Sequence, residues 1–253
     1  MNDWALITGA SSGIGRELAG CFAADRFHLV LVARNEKKLE DLAEELHLKH
    51  GIMTKVLVRN LAIAGTPQDI FDSVRDLPVS ILVNNAAFGV YGPFSESDLA
   101  TQAAVMRVNM TALVELTHLF LQPMLSRHRG RILNVASVAA FQPGPTMNIY
   151  YASKAFVHSF SYALAMELEG TGVTVTALCP STTRTDFFSR AKMKIPQNWF
   201  AMDARAVAEA GHRGLMRGKR VVIPGLLNRI LAALARRGPV SVAAGAVRKI
   251  HAQ

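Results

Sequence analysis

Along most of the chain, short runs of valine, isoleucine and leucine alternate with longer segments whose apolar positions recur every three or four residues. The short runs fall at residues 4–8, 28–33, 54–59, 81–84, 131–135, 173–178 and 220–223. Most are continuously apolar, as a strand buried on both faces requires. The longer segments read as helices over 14–24, 36–50, 67–76, 99–127, 150–169 and 203–217. Asp203 offers a side-chain acceptor suited to an N-cap, and Pro180 and Pro224 mark strand exits. Strands alternating with helices, joined by right-handed crossovers, build an α/β fold: one doubly wound, seven-stranded parallel sheet with helices on both faces. There is no internal repeat, low-complexity tract or linker. In such sheets ligands bind beyond the carboxyl ends of the strands, and the unusual residues fall there.

The chain has 253 residues, half of them hydrophobic, which is ample for a core. Its two cysteines, Cys21 and Cys179, are far apart, and there is no CxxC or HExxH. Neither a disulfide framework nor a metal site is signalled, and a reducing cytoplasm is the expected compartment. The first residues lack the regions of a secretory signal, and no apolar run reaches the ~18 residues of a membrane span. The net charge of +9 is unevenly placed: residues 1–191 hold 16 Lys+Arg against 17 Asp+Glu, and residues 192–253 hold 12 against 2. With the positive charge confined to the C-terminal quarter and no helix-turn-helix, zinc-finger or RNA-binding signature, nucleic acid is not expected as a partner.

Two stretches carry candidate chemistry. The first strand runs into Thr8-Gly9-Ala10-Ser11-Ser12-Gly13-Ile14-Gly15, spaced GxxxGxG. Glycines there let the backbone turn tightly and approach a pyrophosphate at a helix N-terminus, though a plain strand-to-helix turn uses the same residues. The second is Tyr150-Tyr151 with Lys154, and Ser137 thirteen residues before Tyr150. Tyrosine and lysine at i and i+4 share a helix face, so the ammonium can sit beside the phenol and lower its pKa. Alone, that pattern also fits an aromatic pair half in a core with a solvated charge.

Taken in order, Thr8 to Gly15, Asn84-Asn85-Ala86, Asn109, Ser137, Tyr150 and Lys154 resemble the short-chain dehydrogenase/reductase family, over about residues 4–225. The resemblance implies a Rossmann-type catalytic domain over 1–225. Tyr150 would protonate a carbonyl oxygen as hydride arrives from a nicotinamide. Lys154 would lower the Tyr150 pKa and hold the ribose hydroxyls, Ser137 would bond the substrate oxygen, and Asn109 would support a water leading to Lys154. Cofactor contacts are implied at Gly9, Ser11, Ser12, Gly13, Ile14 and Gly15 in the loop, and at Arg34, Asn60 and Leu61 around the adenosine. Asn85, Ala86, Tyr150, Lys154, Pro180, Thr183 and Thr185 would complete the set. Tyr151 is the competing phenol, with less suitable spacing to Lys154 and Ser137. Two departures stand out: Asn60 where the family usually has Asp, and Ser181 where Gly is usual.

Cofactor preference can be read at the end of the second strand, where an NAD enzyme places a carboxylate for the ribose 2′-hydroxyl. Here Ala33 holds that place and Arg34 offers a fork of donors suited to phosphate, so NADP(H) is expected. Between 185 and 203, Phe187, Phe188, Met193, Ile195, Trp199, Phe200 and Met202 form an apolar stretch. In the family this is the substrate lid, which implies a small hydrophobic carbonyl or alcohol substrate; packing against the sheet or a neighbouring subunit is the alternative. Residues 226–253 form a basic C-terminal extension whose segment 226–237 is an amphipathic helix ended by Gly238-Pro239. It could lie on an anionic membrane surface, pack across a homo-oligomer interface (dimer or tetramer), or cover its own domain. The expected activity is NADPH-dependent reduction of a hydrophobic ketone or aldehyde, or the reverse oxidation. A 3-oxoacyl thioester reductase is the alternative within the class, and a non-catalytic nucleotide-binding regulator the alternative outside it.

Overall fold

The structure, a computed structural model, describes residues 3–191, 193 and 201–251. Its strands are β1 (Trp4–Thr8), β2 (His28–Ala33), β3 (Thr54–Val58), β4 (Val79–Asn84), β5 (Gly130–Val135), β6 (Val173–Leu178) and β7 (Val221–Val222). They form one sheet in the order β3-β2-β1-β4-β5-β6-β7, and every neighbouring pair is parallel. The helices are α1 (Gly13–Ala24), α2 (Glu36–His50), α3 (Thr66–Ser73), α4 (Leu99–Met106), α5 (Ala112–Ser126), α6 (Asn148–Glu167), α7 (Phe187–Arg190), α8 (Ala204–Met216), α9 (Leu226–Arg237) and α10 (Val240–His251). This is the expected doubly wound α/β fold. The chain leaves β1 toward β2 and returns beyond it at β4, so the order reverses between β1 and β4, where a crevice opens beyond the strand ends.

Alternation along β1 shows why the sheet needs helices on both faces. Ala5 and Ile7 enter one core with Leu18 and Phe22 of α1, Leu39 and Leu42 of α2, and Val207 and Leu215 of α8. Trp4 and Leu6 enter the opposite core with Ile70 of α3 and Leu116, Phe120 and Met124 of α5. Successive side chains of a strand point to opposite faces, so a continuously apolar strand must be covered twice. Each fully buried Leu, Ile or Phe contributes about 1.5–3 kcal/mol relative to exposure. Helix ends carry their own signals: Asn35 accepts from the Lys38 N–H at 2.9 Å and Asp203 from the Arg205 N–H at 2.8 Å. Gly51, at φ 63, closes α2 in the left-handed conformation.

Three readings change. The helix expected over 99–127 is broken by a π-helical turn at Arg107–Thr111 between α4 and α5. The extra residue of such a turn shifts the rows of side chains, and Asn109, within it, is 2% exposed. The surrounding apolar period continues through the turn, so periodicity does not reveal it. Secondly, Leu99–Ser126 is long and apolar enough to cross a membrane by length and composition, contrary to the expectation that no run is. In the fold it is a core segment, with Val105, Leu113, Leu116, Phe120 and Met124 buried. Thirdly, α9 has the expected bounds, but past Gly238 and Pro239 the chain resumes as α10, whose Val/Ala/Gly composition gave no helix signal. Other ends differ by a few residues, as frayed termini do.

Candidate active site

The β1–α1 connection is shaped by what cannot fit. Gly9 and Gly13 have φ of 66° and 54°, the left-handed region that glycine enters without strain. A Cβ on Gly9 would stand 2.8 Å from Asn85 Nδ2, one on Gly13 2.8 Å from the Thr185 methyl, and one on Gly15 would run into the Gly9 carbonyl oxygen. The neighbours are fixed in turn. Asn85 Nδ2 donates to the carbonyls of Thr8 (2.8 Å) and Gly9 (3.2 Å), and the N–H groups of Asn85 and Ala86 donate to Thr8 Oγ1 at 3.0 Å. What remains is bare main chain at the N-terminus of α1, with Gly9, Ser11, Ser12, Gly13 and Ile14 lining a cleft of about 1390 Å³. That surface fits a diphosphate, whose charge the unpaired N–H groups and helix dipole favour. Gly15 stands behind the wall, and Asn85 lines the cleft while its amide group shapes the loop.

The adenosine end of the cleft is basic. Arg34 is exposed at the end of β2 and lines the cleft with Lys38 and Arg59. Arg59 was not among the expected site residues, yet the register that pairs Ala33 with Val58 brings it beside Arg34, and its N–H donates to the Ala33 carbonyl at 2.9 Å. Lys38, also unexpected, sits in the first turn of α2, whose capping Asn35 aims it at the same place. Among the described lining residues the one carboxylate is Asp186, at the lid end. Asn60 turns its Oδ1 to the Ala62 N–H at 3.1 Å, which leaves one lone pair free, and Leu61 packs beneath it, 7% exposed.

At the other end, Ser137 leaves β5 while Tyr150 and Lys154 occupy one face at the start of α6. Ser137 Oγ accepts from the Ala139 N–H at 3.1 Å and donates to the Pro180 carbonyl at 3.4 Å, and it is close enough to the Tyr150 phenol to lower its pKa. Lys154, 3% exposed, donates from Nζ to the Val135 carbonyl at 2.7 Å and lies 5.7 Å from the centre of the Tyr150 ring. The ammonium therefore meets main chain and the ring rather than the phenolic oxygen. Burial pushes the Tyr150 phenol above its ordinary value; the Ser137 hydroxyl opposes this and the Tyr151 phenol adds to it. Burial pulls Lys154 down from 10.5 to about 8, with the Cys179 thiol opposing. Desolvation, with no contribution from Lys154, sets the direction of the Tyr150 shift here, in contrast to the expected depression by that cation.

Asn109 reaches the site indirectly. Its Nδ2 donates to the Phe88 carbonyl (2.9 Å) and Ser153 Oγ (3.0 Å), and its Oδ1 accepts from the Phe88 N–H (3.1 Å). It joins the loop after β4 to the residue next to Lys154. Tyr151 also lines the cleft, with its ring 6.0 Å from that of Tyr150 and its phenol pushed up to about 12 by burial. It packs on Gly144, where any Cβ would collide with the ring. Ser137 acts on the Tyr150 phenol, whereas burial is what shifts Tyr151, and this separates the two. Beyond β6, Pro180, Thr183 and Thr185 all line the cleft, and Thr183 Oγ1 donates to the Ser181 carbonyl at 2.8 Å.

A family model for short chain dehydrogenases matches residues 3–195. The chain belongs to the short-chain dehydrogenase family. It is 35% identical over 205 residues to the 17-beta-hydroxysteroid dehydrogenase type 3 of Mus musculus, covering 77% of this chain and 65% of that protein. It is 40% identical over 178 residues to a very-long-chain 3-oxoacyl-CoA reductase of Phaeosphaeria nodorum, covering 68% of this chain and 52% of the relative. The chain thus spans about half to two thirds of the length of these relatives. Among solved structures, a short-chain dehydrogenase from Sphingobium yanoikuyae in complex with NADPH superimposes with a TM-score of 0.85 at 31% identity, covering 94% of this chain and 96% of that one.

The remaining walls of the cleft in this short-chain dehydrogenase come from the segment after β6 and from the tail. Phe187 lies 5.0 Å from the Tyr150 ring, and Phe187, Met193, Met147 and Tyr91 pack with both tyrosines. Met202 instead pairs in a bridge with Thr183 and packs toward the core of α1 and α8. The stretch is therefore divided: Phe187 and Met193 stand at the tyrosines, and Met202 packs on the sheet side. Phe188 lies on α7, while Ile195, Trp199 and Phe200 fall outside the described residues. Asn228, Leu231, Ala232 and Ala235 of α9 and Val247 of α10 line the cleft, so the C-terminal extension covers its own fold. Covering its own domain is one of the three placements the sequence allowed; which residues would face the cleft was not legible, because Asn228, Ala232 and Ala235 form no apolar row.

Proposed function

We propose that the chain is an NADP(H)-dependent oxidoreductase that reduces the carbonyl of a bulky apolar substrate, or oxidises the matching alcohol. The observation that carries this reading is that Ser137, Tyr150 and Lys154, the last two on one helix face, line one cleft with the glycine loop. The glycine loop, Arg34 and the Pro180–Thr185 segment would hold the cofactor, which when bound supplies the hydride. The chain's residues handle the proton. Burial keeps the Tyr150 phenol protonated at neutral pH, ready to donate from Oη to a carbonyl oxygen. The Ser137 hydroxyl, in the same cleft as that phenol, can bond the same oxygen. Lys154, at about 8, is largely charged at neutral pH and can hold sugar hydroxyls. A phenol raised by burial favours the reducing direction, because oxidation needs the phenolate.

NADPH over NADH is supported by Arg34, Lys38 and Arg59 around the adenosine end, and by the NADPH bound in the Sphingobium relative. Two substrate classes fit the apolar lid side, and the relatives' names divide the same way. A steroid-like or other bulky ketone suits the walls of Met147, Phe187, Met193 and Leu231. A 3-oxoacyl thioester is favoured by the basic C-terminal quarter, which suits an acidic carrier or phosphate groups, and by the fungal relative. NADPH consumption with steroid ketones, alkyl-aryl ketones and 3-oxoacyl thioesters of graded length tests the proposal. Turnover with one series and not the others names the class, and no turnover with any of them, despite NADPH binding, returns the chain to the non-catalytic reading. The free, buried thiols of Cys21 and Cys179 support a reducing compartment.

A further inference from the structure

Helix α9 has two working sides. Asn228, Ala232 and Ala235, at i, i+4 and i+7, line the cleft, and Ala232 is 4% exposed. The opposite side carries Leu226, Leu227, Ile230 and Leu234, which are 72%, 52%, 49% and 63% exposed. Leu231 stands at the border: it lines the cleft and is still 54% exposed, so the apolar stripe runs into the cleft wall. Val240 and Val242, at the start of α10, are also exposed, 64% and 67%. Scattered exposed apolar residues are ordinary, but a continuous stripe is the mark of an interaction surface.

We propose that this face of α9 docks the protein on an anionic membrane surface. The choice of occupant follows from charge. Arg229 and Arg237, both exposed, flank the stripe, while Arg236 lays its guanidinium over the Phe141 ring, and residues 226–253 contain no Asp or Glu. A second copy packed on the same face would bring these cations against their equals with no carboxylate from the segment to pair them. Anionic headgroups complement the arginines while the acyl boundary receives the leucines and isoleucine. A helix of 12 residues is about 18 Å long, which suits lying on the bilayer and is too short to span it. On the substrate reading above, docking would also turn the Leu231 side of the cleft toward the phase in which an apolar substrate dissolves; the docking itself does not depend on that reading.

The test is co-sedimentation of the full chain with vesicles of phosphatidylcholine alone and with phosphatidylglycerol added. Binding is expected to the anionic vesicles, weakening as salt rises. Leu226→Glu/Ile230→Glu/Leu234→Glu is expected to lower it at least tenfold with unchanged circular dichroism, since all three side chains are exposed. Arg229→Gln/Arg237→Gln, which leaves the stripe intact, is expected to weaken it by roughly 25-fold at about 1 kcal/mol per charge. Absence of binding to anionic vesicles, or binding that neither variant changes, overturns the proposal. So does a dimer in light scattering that the triple variant dissociates without any vesicle binding, which would assign the stripe to a second copy.

Discussion

At the cofactor end of the cleft the wall is largely main chain, set by Gly9, Gly13 and Gly15 and held by Thr8 and Asn85. At the substrate end the wall is side chains from distant segments: Met147 and Tyr151 at α6, Phe187 and Met193 in the lid, Leu231 and Val247 in the tail. A main-chain wall tolerates few changes, because a Cβ at any of the three glycines meets a neighbour that is itself bonded. A side-chain wall can be rebuilt one residue at a time without touching the sheet. One scaffold can therefore keep its cofactor loop while its substrate changes. Tyr150 stands at the junction, with Ser137 in the same cleft on the sheet side and the Phe187 ring against it on the other.

Breaking the junction is expected to have the largest effect. Tyr150→Phe removes the proton donor while keeping the ring against Phe187, and kcat for carbonyl reduction is expected to fall by about 10²–10⁴-fold. Changing the cofactor end comes next. Arg34→Asp is expected to cost NADPH roughly 10- to 100-fold in kcat/KM, the worth of one charged hydrogen bond, and to raise the NADH value. Equal losses for both cofactors would place Arg34 outside 2′-phosphate recognition.

A smaller effect concerns stability. Lys154 has a pKa of about 8 in the fold against 10.5 ordinarily, so between those values the unfolded chain binds more protons and stability rises with pH. Below about 8 the cost of the buried ammonium is fully present. Lys154→Met is therefore expected to stabilise the chain at pH 7 by roughly 3 kcal/mol and to flatten the rise between pH 8 and 10.5, while removing activity. Urea unfolding at both ends of that range checks the sign, and a destabilised variant would mean that the bond to the Val135 carbonyl outweighs desolvation. Smallest of all, Tyr151→Phe is expected to change kcat by no more than a few-fold.

The same contrast governs what could be read from the sequence. The strands and the glycine loop were legible because backbone demands are local: a strand covered twice must be apolar throughout, and a left-handed turn needs glycine. Tyr150, Lys154 and Ser137 were legible as a set because their placement follows from the ends of β5 and α6. Arg59 was not, since it joins Arg34 only through the pairing of β2 with β3, nor was Lys38, which the Asn35 cap of α2 aims at the same place. The π-turn that buries Asn109 left no trace in the apolar period. The upward shift of the Tyr150 phenol depends on how deeply the phenol is buried, a property of the packed cleft that spacing along a helix cannot supply.

The central claim is that cofactor binding and proton transfer are separate tasks of one cleft, with the proton held by Tyr150. It is tested most directly by titrating Tyr150→Phe with NADPH while assaying turnover in the same preparation. The expected result is NADPH affinity within a few-fold of the parent chain and turnover lost by at least 10²-fold. Turnover close to the parent value, or its loss in Tyr151→Phe instead, would contradict the assignment.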